Sequence, residues 1–293
     1  MQGTIDGFSY GLVTPVAAYI MACLGSALGL RCVVRSLLNQ DSWRQGWLAL
    51  GATAIGCGIW TMHFIAMIGF QVEESAVRYD TGLTVISLAV AIVVVGIGVF
   101  VVGYRGATPV ALSAAGVVTG LGVAAMHYLG MAALTLNGTI RYNTTTVAIS
   151  VVIAIVAATA ALWAAVSIQG FLTSLGASLV MGVAVSGMHY TGMAAVSVHL
   201  HEKSQNTWSG DSPTSLLLPM LIGPVIFLLL ASVVVMFDPL LVTGNGERRG
   251  ASSLLRPEQQ LPRIPRQSAV RDIGQPAPGG QRTPAPPWTD RRP

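Results

Sequence analysis

Charge is what this sequence has least of. Asp, Glu, Lys and Arg make up 10% of 293 residues, against 53% hydrophobic residues, and mean hydropathy is +0.65. Soluble domains carry roughly 25% charged residues, so too few polar side chains exist to cover a surface facing water. A soluble globular domain is excluded. Cysteine is scarce as well. Cys23, Cys32 and Cys57 are odd in number and never at CxxC spacing, which excludes a disulfide framework. All three fall in or beside apolar runs, where a free thiol packs as a small hydrophobe. The first 30 residues lack a basic start, and their apolar run leads directly into later ones, so no cleavable signal peptide is expected. Phosphate-loop and His-Glu-x-x-His sequences are missing too, which argues against nucleotide hydrolysis and metalloprotease chemistry.

The little charge present is unevenly placed. Residues 247–293 hold nine Arg against Glu247, Glu258, Asp272 and Asp290, while the remainder holds seven basic and eight acidic residues. The formal net charge of +4 is therefore a property of the tail. After Asp238-Pro239 the chain is rich in Pro, Arg, Gln and Gly, too poor in apolar residues to offset ordering entropy. Residues 239–293 are expected to form a disordered cytoplasmic tail near anionic lipid, without nucleic-acid binding.

What is abundant is apolar sequence in lengths that match a bilayer core. The pattern predicts an all-α, seven-helix transmembrane bundle within residues 1–238, with spans at 11–30, 46–70, 82–103, 109–136, 147–168, 171–198 and 216–237. The first loop carries Arg31, Arg35 and Arg44, and the third carries Arg105. The opposite side carries Glu73, Glu74, Asp80, Glu202 and Asp211 among few basic residues. Basic short loops face the cytoplasm, so the N-terminus is expected outside and the C-terminus inside. Gly25-x3-Gly29 and Gly116-x3-Gly120 fit close helix packing in lipid.

Within the spans one hexapeptide recurs. Met62-His63-Phe64-Ile65-Ala66-Met67 returns as Met126-His127-Tyr128-Leu129-Gly130-Met131 and as Met188-His189-Tyr190-Thr191-Gly192-Met193. The pattern is Met-His-aromatic-x-small-Met, and its period of 64 and then 62 residues is one helical hairpin. The fold is thus expected as three two-helix repeats plus one extra helix. Each motif lies on an even-numbered span, and its histidine falls about 10–14 Å inside the outer boundary at 1.5 Å per residue. Three histidines at one depth can converge if their helices are neighbours.

Ionisable side chains inside a membrane are costly and point to function. Neutral imidazole and thioether both suit copper, thioether especially Cu(I). The residue four after each histidine shares its face, which favours His63/Met67, His127/Met131 and His189/Met193 as ligand pairs, with Met62, Met126 and Met188 on a flank as second choice. The alternative for each Met is core packing. His199 and His201, beside Glu202 on the outer side, could capture a metal or form a solvated loop. Phe64, Tyr128 and Tyr190 are expected to pack. Asn137-Gly-Thr139 and Asn143-Thr-Thr145 fit the short glycosylation pattern.

At these motifs the chain resembles the MHYT domain family, named for the tetrapeptide that reads Met188-His189-Tyr190-Thr191 here. The likeness covers about residues 8–238, though the first motif reads Met-His-Phe-Ile and the second Met-His-Tyr-Leu. It implies a sensory domain of the bacterial plasma membrane that binds copper through the Met and His positions above and detects oxygen, carbon monoxide or nitric oxide. Members of the family often continue into cyclic-di-GMP enzymes. Here neither a Gly-Gly-Asp-Glu-Phe nor a Glu-Ala-Leu sequence follows, so no enzyme activity is expected and a cytoplasmic signalling partner would carry the output. Three other readings compete: a membrane copper-handling protein, a haem-binding electron carrier with paired axial ligands, and a structural scaffold. Little Lys with much Arg, Ala, Gly and Val suggests a bacterial genome of high GC content.

Overall fold

A computed structural model describes residues 3–38, 43–168, 170–200 and 213–237. The tail from residue 238, and His201 with it, lies outside the described residues. Among those described, seven helices are long and apolar enough to cross a membrane: α1 (Val13–Leu38), α2 (Arg44–Ile68), α3 (Thr81–Arg105), α4 (Pro109–Ala132), α5 (Thr144–Ser167), α6 (Phe171–Ala194) and α7 (Pro213–Met236). Large apolar side chains cover their outer faces, among them Val93, Ile97, Val152, Val156, Ile222 and Leu229. Such a belt of exposed hydrophobics is stable against lipid and not against water. The protein is a multi-pass membrane protein.

Consecutive helices pack side by side from α1 to α6, and α6 returns to α1, so six helices close a ring. The seventh lies outside it against α2 and α1. Small residues set the approach. A Cβ at Gly25 would come within 2.7 Å of Gly58 Cα on α2, and one at Gly120 within 2.7 Å of Ile155 N on α5. The two Gly-x3-Gly patterns thus serve the α1–α2 and α4–α5 contacts.

Each hairpin is framed by short strands. β1 (Ile5–Asp6) precedes α1 and pairs antiparallel with β2 (Gln71–Val72) after α2; β3 (Arg78–Tyr79) and β4 (Leu134–Thr135) frame α3–α4; β5 (Gly138–Tyr142) and β6 (Val196–Leu200) frame α5–α6. The repeat is therefore strand–helix–helix–strand, used three times about one axis. Local chemistry marks the starts of α3 and α5 and the ends of the even helices. Asp80 Oδ1 accepts from Leu83 N–H at 2.7 Å to start α3, and Asn143 Oδ1 accepts from Thr146 N–H at 3.1 Å to start α5. The even helices stop on Gly69, Ala133 and Ala195, all helical residues whose N–H turns back on the last turn.

Several boundaries differ from the hydropathy pattern. Helix α1 continues through Arg31 and Arg35 to Leu38 instead of stopping at 30. Both guanidiniums are accommodated over aromatic rings, Arg31 at 5.4 Å from Phe171 and Arg35 at 5.3 Å from Trp47. Helices α4 and α6 end at Ala132 and Ala194, short of 136 and 198. The apolar residues beyond them, Leu134, Leu136, Val196 and Val198, belong to the strand region, and an apolar strand prolonging an apolar helix leaves no break in hydropathy.

Candidate metal centre

His63, His127 and His189 each sit five residues before the last residue of α2, α4 and α6. Equal register on three parallel helices of one ring brings them to the axis at one level. All three are buried, at 0%, 1% and 1% exposure. Their Nδ1 atoms form a triangle with edges of 3.0 Å (His63–His189), 3.2 Å (His127–His63) and 3.3 Å (His189–His127). The rings stand almost perpendicular to one another, at 82°, 79° and 89°, like blades of a propeller.

A triangle of imidazole nitrogens cannot satisfy itself by hydrogen bonds. A nitrogen that carries a proton donates and has no lone pair left; one without a proton only accepts. Of three edges, at least one must therefore face donor to donor or acceptor to acceptor. A central cation removes the conflict because all three nitrogens then present lone pairs. The dimensions agree: three corners of a tetrahedron with metal–nitrogen bonds of about 2.0 Å are about 3.3 Å apart. The triad can hold a transition metal with three imidazoles and leave a fourth position open. It also forms a group of potential metal ligands whose donor atoms lie within 4.8 Å of one another.

The outer edges of the His63 and His127 rings each meet the small residue of the next motif. A Cβ at Gly130 would overlap His63 Nε2 and lie 2.9 Å from its Cδ2. One at Gly192 would overlap His127 Nε2 and lie 3.1 Å from its Cδ2. The Nε2 atoms of His63 and His127 have no hydrogen-bond partner among the described residues, so packing, not a hydrogen-bond acceptor behind the ring, orients them. The small position was visible in the repeat but its role was not: Gly130 and Gly192 make room for the histidine ring of the motif before them.

The remaining predicted residues are placed as follows. Met62, Met67, Met126, Met131 and Met188 are buried and Met193 is half-buried. Met62 packs with Ala18 and Ala22 of α1, whereas Met67, Met126, Met131 and Met188 belong to the main core. The aromatic after each histidine ties its helix outward. Phe64 packs on Trp60 at 4.7 Å and Tyr79 at 6.2 Å. Tyr128 Oη shares a 2.7 Å hydrogen bond with Ser150 Oγ on α5. Tyr190 stacks on Phe8 at 5.8 Å. His199 is exposed on β6 opposite Thr139, and its expected partner His201 is outside the described residues.

A ring of repeated helical hairpins closing on a buried histidine triad defines a multi-pass membrane domain. Residues 56–115 and 120–177 match the family described as the bacterial signalling protein N terminal repeat, MHYT, and these two segments are repeats of that family. The third motif, although it alone carries the full tetrapeptide, lies beyond these matched residues. The chain is 34% identical over 197 residues to the bifunctional diguanylate cyclase/cyclic di-GMP phosphodiesterase MucR of Pseudomonas aeruginosa, covering 66% of this chain and 29% of that protein. It is 36% identical over 206 residues to the cyclic di-GMP phosphodiesterase NbdA of the same organism, covering 67% and 26%. It is 28% identical over 198 residues to the signaling protein YkoW of Bacillus subtilis, covering 65% and 24%. The chain thus spans under a third of the length of these relatives. No solved structure matches it.

Proposed function

We propose that this protein is a membrane sensor whose histidine triad binds copper and detects a diatomic gas, oxygen, carbon monoxide or nitric oxide, or redox state. The supporting observation is the Nδ1 triangle of 3.0, 3.2 and 3.3 Å, which fits three bonds to one ion. Three imidazoles alone suit zinc as well as copper. The six Met of the motifs tip the choice, since thioethers select Cu(I). Bound copper would supply a redox-active centre with an open coordination position. The chain's own residues hold the imidazoles in register and keep bulk water away from them. Haem is the weaker alternative: it needs two imidazoles on opposite faces of a macrocycle, and nitrogens in mutual contact leave no gap for one. A copper-handling protein would need a second ligand set near the opposite end. Cys32 and Cys23 lie toward that end, and a site built on them would be thin.

On this reading the chain is not an enzyme. Its likeness to relatives named as cyclic-di-GMP enzymes lies in the signalling repeat, and a cytoplasmic partner would receive the signal. The site would lie toward the outer face of a bacterial plasma membrane. The test is metal content and an absorption spectrum of detergent-purified protein beside a His63/His127/His189→Ala variant. The expected result is about one copper per chain, lost in the variant while its circular dichroism is unchanged. A wild-type protein that stays metal-free after copper reconstitution would sink the proposal.

A further inference from the structure

On the side of the triad toward the N-terminal ends of α2, α4 and α6, the helix ring is hollow and contains a partly open cavity of about 50 Å³. Its near wall is Ile59, Val123 and Val185, each four residues before a histidine, or about 6 Å along the helix. Its far wall includes Ile55, Thr119 and Met181, each eight residues before a histidine. The cavity therefore lies on the same axis as the Nδ1 triangle. Met188, adjacent in sequence to His189, also lines it.

The void has a cause in the sequence. Helix α5 turns Ala154, Ala158, Ala161 and Ala165 inward along one face, where α3 contributes the larger Val95 and Val99. Space is not what would keep water out, because one water needs only about 10–15 Å³. Polar partners are lacking. Ser26 and Thr119 carry the only hydroxyls of the lining, and Thr119 Oγ1 already donates to Val94 O at 3.4 Å. A buried water makes about three hydrogen bonds, whereas apolar cavities stay dry and accept apolar guests.

We propose that this cavity is a binding site for one small uncharged molecule, a diatomic gas or a noble-gas atom, which passes from it to the histidine triad. The second half of the proposal rests on the metal reading above; the first does not. Xenon tests the site without any metal. Xenon-pressurised crystals of the full chain should show one xenon between Ile59, Val123 and Ala158, and Ala158→Leu should abolish it. The milder Ala161→Val serves if the leucine variant does not fold, with copper retention as the check that the triad is intact. In copper-loaded protein the filled variant should bind carbon monoxide with association and dissociation slowed by the same factor and affinity unchanged, because the cavity is a route and not a ligand. Absence of xenon from the wild-type cavity overturns the proposal, as do unchanged carbon monoxide rates in a variant that has lost its xenon. Xenon in place with no carbon monoxide signal in copper-treated wild type supports the cavity as a site and defeats the metal reading instead.

Discussion

His63 and His127 each rest one edge on a glycine of the neighbouring helix, and that contact substitutes for the hydrogen bond that usually orients a metal-binding imidazole. Gly130→Ala should therefore damage the site without altering a ligand. Its methyl would lie 2.9 Å from His63 Cδ2 and overlap Nε2, so the ring must rotate and Nδ1 must leave the triangle. Loss of an orienting contact costs about 10–100-fold in metal affinity, and that range is expected for Gly130→Ala and for Gly192→Ala in copper competition titrations. Gly187→Ala is the control, since a Cβ there meets nothing within 4 Å. If all three variants keep wild-type affinity, packing does not orient the rings. The three histidines were legible as candidates in the sequence, because the Met-His-aromatic-x-small-Met hexapeptide returned at a hairpin period and equal depth, but the spacing leaves open whether their helices meet. The triangle of Nδ1 atoms was not legible, since which ring nitrogen turns inward depends on a small residue of another helix, and no spacing within one helix encodes that.

The six short strands are the elements that hydropathy alone concealed. Leu134, Val196 and Val198 prolong apolar helices without a break, and only their antiparallel partners across the bundle end make them strands. At the first pair the segment before α1 is also clipped by a side chain: Glu74 accepts from the Thr4 N–H at 2.9 Å and Glu73 N–H donates to Thr4 O at 3.2 Å. That bond from Thr4 holds the Glu74 carboxyl below its ordinary value of 4.5. A carboxylate with a lowered folded pKa contributes above its ordinary pKa, and the contribution is lost as pH falls through the lowered one. The Thr4 amide resonance should accordingly titrate with a midpoint below 4.5 in the wild type and show no such step in Glu74→Gln. A midpoint at or above the ordinary value would mean that the clip does not form in solution. Helix α1 shows the same kind of hidden information, because its continuation past Arg31 and Arg35 depends on Phe171 and Trp47, rings supplied by other helices.

At the scale of the whole molecule the three strand–helix–helix–strand units are equivalent, but their environment is not. The family match starts within α2 and repeats within α4, a helix out of phase with the hairpins that pack as units. In that phase α7 would be the counterpart of α3 and α5, yet α1 occupies the position between α6 and α2 and leaves α7 outside the ring. One end of the bundle gathers Arg31, Arg35, Arg44 and Arg105, with Arg44 donating to Gly103 O and lying 4.6 Å from the Tyr104 ring. The other end holds Asp6, Glu73, Glu74 and Asp80. The histidines are five residues from that acidic end of their helices. If basic short loops face the cytoplasm, the acidic strands and the nearby triad face outward, where an external ligand has the shorter path. Cysteines at exposed Ala76 and exposed Ala107, in a background with Cys23, Cys32 and Cys57 replaced by Ala, report the orientation. An impermeant maleimide applied to intact cells should label Ala76→Cys directly and Ala107→Cys only after permeabilisation. The reverse pattern would place the arginine cluster outside and the triad near the inner face, so a sensor of external stimuli would have to be reached from the cytoplasm.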